Sequence, residues 1–424
     1  MDEGTTRLAT EDLDARPDWA KLDFSREEYL SRHARVREKM AERGIDLLIV
    51  ISPPSLNWLV GFRGKGYQDF QCLFFPLEDR PLTFICRFSD SAEMTDLLPV
   101  DRVVGFVAHE GVRSDPTAVE SAARSFGGRP QEEALAAFAR ILKDYATDGT
   151  RIGYEAPQYA LSPHDHDDLR EVLAGRQAVD ATDIIRWLRV IKSPAEIEMF
   201  RRAAAITDLG LAATLAAIRE GANEYEVTAE TVRAVIAAGS DSPTSPPNFV
   251  TGPRTVYAHA LPTERKIERG DLMHIEFGAS YHRYPVSIAR NMALGDPGKR
   301  ARELHDIQLA ACDAVIAAAQ PGAMTDAPHE AARRVFEDAG VEHGFVHTAG
   351  YGLEAAFPPV WGLAPIHFSP VAPVEIEPGM VFTVEPPLML PEEKLGVRVI
   401  DDIVVTETGN EILSKADRGL YVIE

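Results

Sequence analysis

The chain has 424 residues, 45% of them hydrophobic and 26% charged, with a net charge of −22. That length exceeds one ordinary domain and suits two, each able to bury its own core. The acidic balance argues against nucleic acid or an anionic membrane surface, which would call for clustered Lys and Arg, and fits a protein that handles small molecules.

The opening MDEGTTRLATEDLDARPDW is acidic and lacks the apolar stretch of a signal peptide, and residues 1–25 are predicted to form a polar arm. No apolar run approaches the roughly 18 residues needed to span a membrane. Cys72, Cys86 and Cys312 form no CxxC pattern and leave an odd count, so no disulfide framework is expected, and a cytoplasmic location is. Residues 26–43 carry Tyr29, Val36 and Met40 at helical spacing, with Gly44 as the stop. IDLLIVIS (45–52) reads as a buried strand. SPPSLNWLVGF reads as a turn and strand, and CLFFPL and LTFICRF as two further strands. GFRGKGY (61–67) has the flavour of a phosphate loop without its strand-to-helix context, and reads as a turn. Helical stretches at 131–145 and 164–174 alternate with the strand RIGYE, so residues 1–183 are predicted to be a small α/β domain.

The second domain is placed at 184–424. Its first long helix is well marked: Ser193 caps, Pro194 takes the first helical position and Glu196 closes a capping box. A second amphipathic helix (223–239) leads into the loop SDSPTSPPN. Strands then predominate: NFVTG, LMHIEFGAS, SIARNMALG, MVFTVEP and VRVIDDIVVTE, interrupted by helices at 298–319 and 325–340. Two of these strands carry an acid in apolar surroundings, Glu276 in HIEFG and Glu385 in FTVEPP. An ionised carboxylate there is costly unless a cation or hydrogen-bond donors meet it. Either each acid has a structural partner, with Arg290 or Arg398 as candidates, or the two together form a site. His259, in TVYAHALPTERKIERGD, adds an imidazole able to pass protons near neutral pH. Val256, Phe277 and Val384 read as core.

Three segments, GDLMHIEFGASYHRYPVSIAR (270–290), HTAGYGLEAAFPPVWG (347–362) and PGMVFTVEPPLMLPEEKLGVRVIDD (378–402), resemble in order and spacing the site motifs of the pita-bread family. That family includes aminopeptidases P, prolidases, methionine aminopeptidases and the non-peptidase creatinases. RVIKSPAEIEMFRRAAAIT is similar to the segment that opens its catalytic domain. The resemblance implies an α+β chain, with a small N-terminal α/β domain before a C-terminal pita-bread domain of curved antiparallel sheet and covering helices. It also implies a homodimer. Metal-binding members place Asp, Asp, His, Glu and Glu around two cations, and the matching positions here are Glu276, Ser287, Tyr351, Glu385 and Ile400. The loop AFPPVWG and the segment EFGASYHRYPVSIAR resemble a branch that includes ectoine hydrolases, whereas the retained Glu385-Pro386 with MLPEE looks more like creatinase. Creatinase differs in having an acid where Ala289 stands and a histidine at Tyr351.

This resemblance implies a hydrolase of a C–N bond in a small amidine, guanidino or cyclic amide compound. His259, Glu276 and Glu385 are the expected catalytic residues, with Tyr351, His347, Arg290, Arg398, Phe357, Trp361, Phe62 and Arg63 contacting substrate. Phe62 and Arg63 enter because this region reaches the partner's active site in the resembling dimers. No metal or other cofactor is expected. The alternative is a single divalent cation on Glu276, Glu385, His347 or Asp401, although Asp401 adjoins Ile400 and so points to the other face of a strand. Such a site would make the chain a metal-dependent Xaa-Pro-type dipeptidase. A non-catalytic, ligand-binding member is the third reading.

Overall fold

Leu47–Val50 (β2), apolar throughout and buried throughout, lies near the middle of a mixed seven-stranded sheet in the first part of the chain. The computed structural model describes residues 12–14, 19–106, 134–157, 159–244, 246–357 and 362–424. The sheet runs in the order β1-β5-β4-β3-β2-β6-β7. Its other strands are Asp12–Asp14 (β1), Cys72–Pro76 (β3), Thr83–Arg87 (β4), Arg102–Phe106 (β5), Arg151–Tyr154 (β6) and Gln177–Asp180 (β7). Helix α1 spans Arg26–Glu42. Part of the predicted arm is therefore a strand, since β1 pairs with β5.

The turn and strand predicted after Ser52 are instead a helix, Pro53–Val60 (α2). Two prolines open it and Gly61, at φ 69°, ends it in the left-handed region. Those end signals outweigh an apolar run that alone fits either structure. Buried Glu155 fixes the helix start, accepting from Ile51 N and Ser52 N at 2.8 Å each and from Ser55 Oγ at 2.6 Å. Helix α3 covers Phe88–Leu97, α4 Ala134–Tyr145 and α5 Pro163–Val172. The first three residues of the helix predicted at 131–145 lie outside the described ones.

The chain divides into compact units at Leu188 and Arg189. Helix Thr182–Leu188 (α6) closes the first of these units. The reason is contact with α1: Arg35 donates to Leu188 O at 3.0 Å, and Arg43 pairs with Asp183.

In the second unit, Pro194–Ala217 (α7) starts at the expected capping box, and Glu224–Ala237 (α8) follows. Strands Asn248–Thr251 (β8), Leu272–Tyr281 (β9) and Tyr284–Leu294 (β10) pair antiparallel, and Tyr421–Ile423 (β18) adds to β10 in parallel. After Lys299–Ala318 (α9) and Asp326–Asp338 (α10) comes a second antiparallel sheet. It comprises Gly350–Leu353 (β11), Leu363–His367 (β12), Val381–Val384 (β13), Asp401–Thr406 (β16) and Gly409–Ile412 (β17), in the order β12-β11-β13-β16-β17. Leu388–Leu390 (β14) and Leu395–Val397 (β15) form a separate hairpin. The predicted strand VRVIDDIVVTE is thus broken in two. Residues 398–400 cross between sheets, with Arg398 N held by Asn291 Oδ1 at 2.8 Å and Ile400 bridged to Ala289.

Strand alternation then decides which side chains share a face. Met273, Ile275, Phe277 and Ala279 of β9, with Ile288, Met292 and Leu294 of β10, form a core with residues of α7 and α8. Glu276 and its cross-strand partner Ala289 face the other way, as does Ser287. In the second sheet Phe382, Val384, Ile403 and Val405 pack with residues of α9 and α10, which leaves the register partners Thr383 and Asp402 on the opposite side. Helices over one side of each antiparallel sheet are the pita-bread architecture that the motifs imply. Glu155→Ala should lower the melting temperature, because it strands two buried donors and a half-buried one at a cost of about 2–4 kcal/mol. A thermal melt indistinguishable from the parent's would contradict that role.

Candidate active site

Glu276, near the middle of β9, is almost fully buried. Arg398 Nη1 makes a charged hydrogen bond with its Oε2, and Asn248 Nδ2, from the neighbouring strand β8, donates to the same oxygen at 2.8 Å. The same Nη1 reaches Ala258 O at 2.7 Å, which ties the pair to the loop that carries His259. The buried Nε of Arg398 has no hydrogen-bond partner among the described residues. Of the two partners that the sequence offered Glu276, Arg398 is the one the fold selects.

Glu385 follows β13, with its backbone N–H on Ala349 O at 2.8 Å. Its Oε1 is 3.4 Å from His347 Nδ1. Burial pushes the Glu385 carboxyl up to about 8; nearby Arg398 opposes that rise, while the charges of Glu276 and Asp402 add to it. Burial also lowers the basicity of His347, as do the charges of Arg398 and His259, against the pull of Thr348 O and Glu276. At neutral pH the pair is therefore a protonated acid beside a neutral imidazole. Burial, with the charges of Glu385, Glu276 and Asp402, holds the Tyr351 phenol well above its usual range. His259 is exposed, on the loop that follows the 3-10 turn Gly252–Val256. Glu276 and Arg398 thus act electrostatically on Glu385, His347 and Tyr351, and His259 acts on His347.

Arg290 is not part of this group. Arg290 is wholly buried and committed: it donates to Asp401 Oδ1 and Ile400 O at 2.7 Å, to Asp417 O at 2.8 Å and to Ala289 O at 2.9 Å. It is a structural residue, because alternation from Ser287 turns it to the helix-covered side of β10. Asp401 faces Arg290 and Arg418, away from Ile400, as its position next to Ile400 implies. Phe357 is buried beneath the Arg283 guanidinium, 4.7 Å from its ring centre. Trp361 falls outside the described residues. In the first unit the Phe62 ring is buried against Phe84, and Arg63 lies 3.5 Å from Asp23. Two neighbours went unread in the sequence, Asn248 and Asp402. Asp402 stands two residues after Ile400, so period-two alternation gives it the same face.

The cations of the metal-binding relatives can be tested against this donor set. One carboxylate, Glu276, is already matched by Arg398 and Asn248, and Ile400 offers no donor atom. Among the described residues no three His, Cys, Asp or Glu side chains are grouped to hold a metal ion. The residues present do not fit a two-cation centre.

Residues 198–407 match the family model for metallopeptidase family M24, and residues 32–191 match the creatinase/prolidase N-terminal domain. The chain belongs to family M24, in the arrangement that joins these two domains. It is 27% identical over 411 residues to the ectoine hydrolase of Halomonas elongata, covering 95% of this chain and 98% of that protein. It is 33% identical over 243 residues to the Xaa-Pro dipeptidase of Pyrococcus furiosus, covering 56% of this chain and 67% of that one. The solved Xaa-Pro dipeptidase of Bacillus anthracis superposes with a TM-score of 0.75 at 24% identity, covering 93% of this chain and all of that one, a likeness of fold. The chain is therefore a hydrolase-family protein, with both peptidase and non-peptidase relatives.

The raised Glu385 carboxyl links stability to pH. Between its ordinary value of 4.5 and its folded value of about 8, the folded state keeps a proton that the unfolded state has lost. The stabilisation is complete below the first value and is lost as pH rises through the second. Glu385→Gln keeps the neutral form, so its melting temperature should climb relative to the parent's between pH 5 and pH 8. A difference that stays flat across that range would contradict a buried, protonated Glu385.

Proposed function

We propose that this protein hydrolyses a C–N bond in a small amidine, guanidino or cyclic amide compound, and does so without a divalent metal. The observation that carries the reading is the Glu385–His347 pair, 3.4 Å apart, beside a Glu276 already neutralised by Arg398. Support also comes from the nearly full-length match to an ectoine hydrolase. An amidinium carbon is already electron-poor, so its attack by water needs less Lewis-acid help than a peptide carbonyl does. Water adds to that carbon and gives its proton to neutral His347, while His259 on the adjoining loop exchanges protons with solvent. The C–N bond then breaks as the departing nitrogen takes the proton held by Glu385 and the new hydroxyl gives its own proton back to that carboxylate, leaving an amide and an amine, with the proton on His347 passed to solvent. Glu276 acts through Arg398 rather than on the substrate cation, a change from the role that the sequence suggests.

A second reading, a metal-dependent Xaa-Pro dipeptidase, is favoured by the 33% identity with the P. furiosus protein. Chelator-treated enzyme assayed on ectoine, a cyclic amidine that carries a carboxylate, and on Xaa-Pro dipeptides separates the two. The expected result is amidine hydrolysis unaffected by chelation, with kcat lowered at least ~10²-fold in Glu385→Gln and in His259→Ala. Dipeptide turnover that chelation abolishes and Mn²⁺ restores would replace the first reading with the second.

A further inference from the structure

Thr383 of β13 and Asp402 of β16 are cross-strand partners, fully buried, on the side of the sheet that also carries Glu385. Asp402 Oδ2 accepts from Ser287 N at 2.7 Å. Its Oδ1 has no hydrogen-bond partner among the described residues, and neither does Thr383 Oγ1. Burial pushes the Asp402 carboxyl well above its usual range, against the Ser287 N–H and the Thr383 hydroxyl, which lies close to it but outside hydrogen-bond geometry. Two unsatisfied polar oxygens side by side in a buried strand pair are costly, and such groups call for a partner. Ser287 stands where metal-binding relatives have a carboxylate, and here its backbone N–H orients the carboxylate of Asp402 instead. An acid lost from β10 is thereby regained from β16, with one oxygen fixed and the other open.

We propose that Asp402 Oδ1 and Thr383 Oγ1 form an anchoring subsite for a cationic N–H group, the amidinium or guanidinium end of a substrate that Glu385 and His347 then act upon. The substrate class rests on the amidine reading above, whereas the subsite rests on the geometry. On binding such a cation Asp402 gives up its proton to solvent and supplies the counter-charge that Glu276, satisfied by Arg398, does not. A planar N–H-bearing cation donates one hydrogen bond to Oδ1 and a second to the hydroxyl oxygen.

The test is calorimetric titration of acetamidinium chloride, with neutral acetamide as the comparison ligand, into the parent, Asp402→Asn and Thr383→Val. Asp402→Asn keeps an oxygen for Ser287 N but cannot ionise, and Thr383→Val keeps the shape while removing the hydroxyl. Acetamidinium should bind the parent and lose at least about 10-fold in affinity in Asp402→Asn, the size expected for one charged hydrogen bond. It should lose less in Thr383→Val, and acetamide binding should shift by less than acetamidinium binding in both variants. Thermal melts of the variants verify folding, and Thr383→Val decides alone if Asp402→Asn does not fold. Equal acetamidinium affinity in the parent and the folded variants, as when only water fills the place, would overturn the proposal, and so would a parent that binds no acetamidinium. A parent that binds it through Asp402 yet hydrolyses no amidine would uphold the subsite and remove the function proposed above.

Discussion

Glu276 sits in a strand buried on both sides, and a carboxylate there stays ionised only if its charge is answered. Arg398 answers it, and the surrounding structure depends on that pairing. To bring the guanidinium beneath β9, the chain must leave the β14–β15 hairpin, cross at residues 398–400 and enter β16, which is why a continuous apolar segment is divided between two sheets. Asn291 and Ala289, both on β10, hold the crossing through its backbone. The same guanidinium grips Ala258 O, so the loop with His259 is positioned by the pair as well. Removing either partner alone would leave an unmatched buried charge, which costs about 3–5 kcal/mol in comparable pairs.

That commitment sets the character of the remaining groups. The basic side chain paired with Glu385, at 3.4 Å, is His347, itself disfavoured as a cation. Burial therefore works against charge on both members, and a proton sits on the carboxyl rather than the imidazole. The pair is poised for transfer in either direction near neutral pH, as acid–base chemistry requires. In metal-binding relatives carboxylates at such positions serve cations. The motif resemblance puts Ile400, Tyr351 and Ser287 in three of those places, and Glu385 carries a proton while Glu276 pairs with arginine.

Much of this was legible in the sequence. The capping box at Ser193, the strands around Glu276 and Glu385, and the divided architecture follow from periodicity and from motif order, which are local properties. The misreadings also have physical causes. SPPSLNWLV looks like a strand by apolarity, but its two leading prolines and the closing Gly61 specify helix ends, and these took precedence. Arg290 looked available to contact substrate, yet it lies three residues from Ser287 and so on the opposite face, where Asp401 and four backbone carbonyls claim it. Asp402 was overlooked for the reverse reason: it adjoins Asp401 in sequence but shares the face of Ile400. The choice of Arg398 over Arg290 as the partner of Glu276 was not legible at all, because it depends on a crossing between sheets that no local pattern encodes.

The proposed function rests on a Glu276 carboxylate that is held by Arg398 and Asn248 and so is not shared through a cation with Glu385. An anomalous-difference map from crystals grown with Mn²⁺ tests this most directly. The expected map has no peak there and shows the Arg398 guanidinium against Glu276. A strong peak bridging the two carboxylates, with Arg398 turned away, would contradict it.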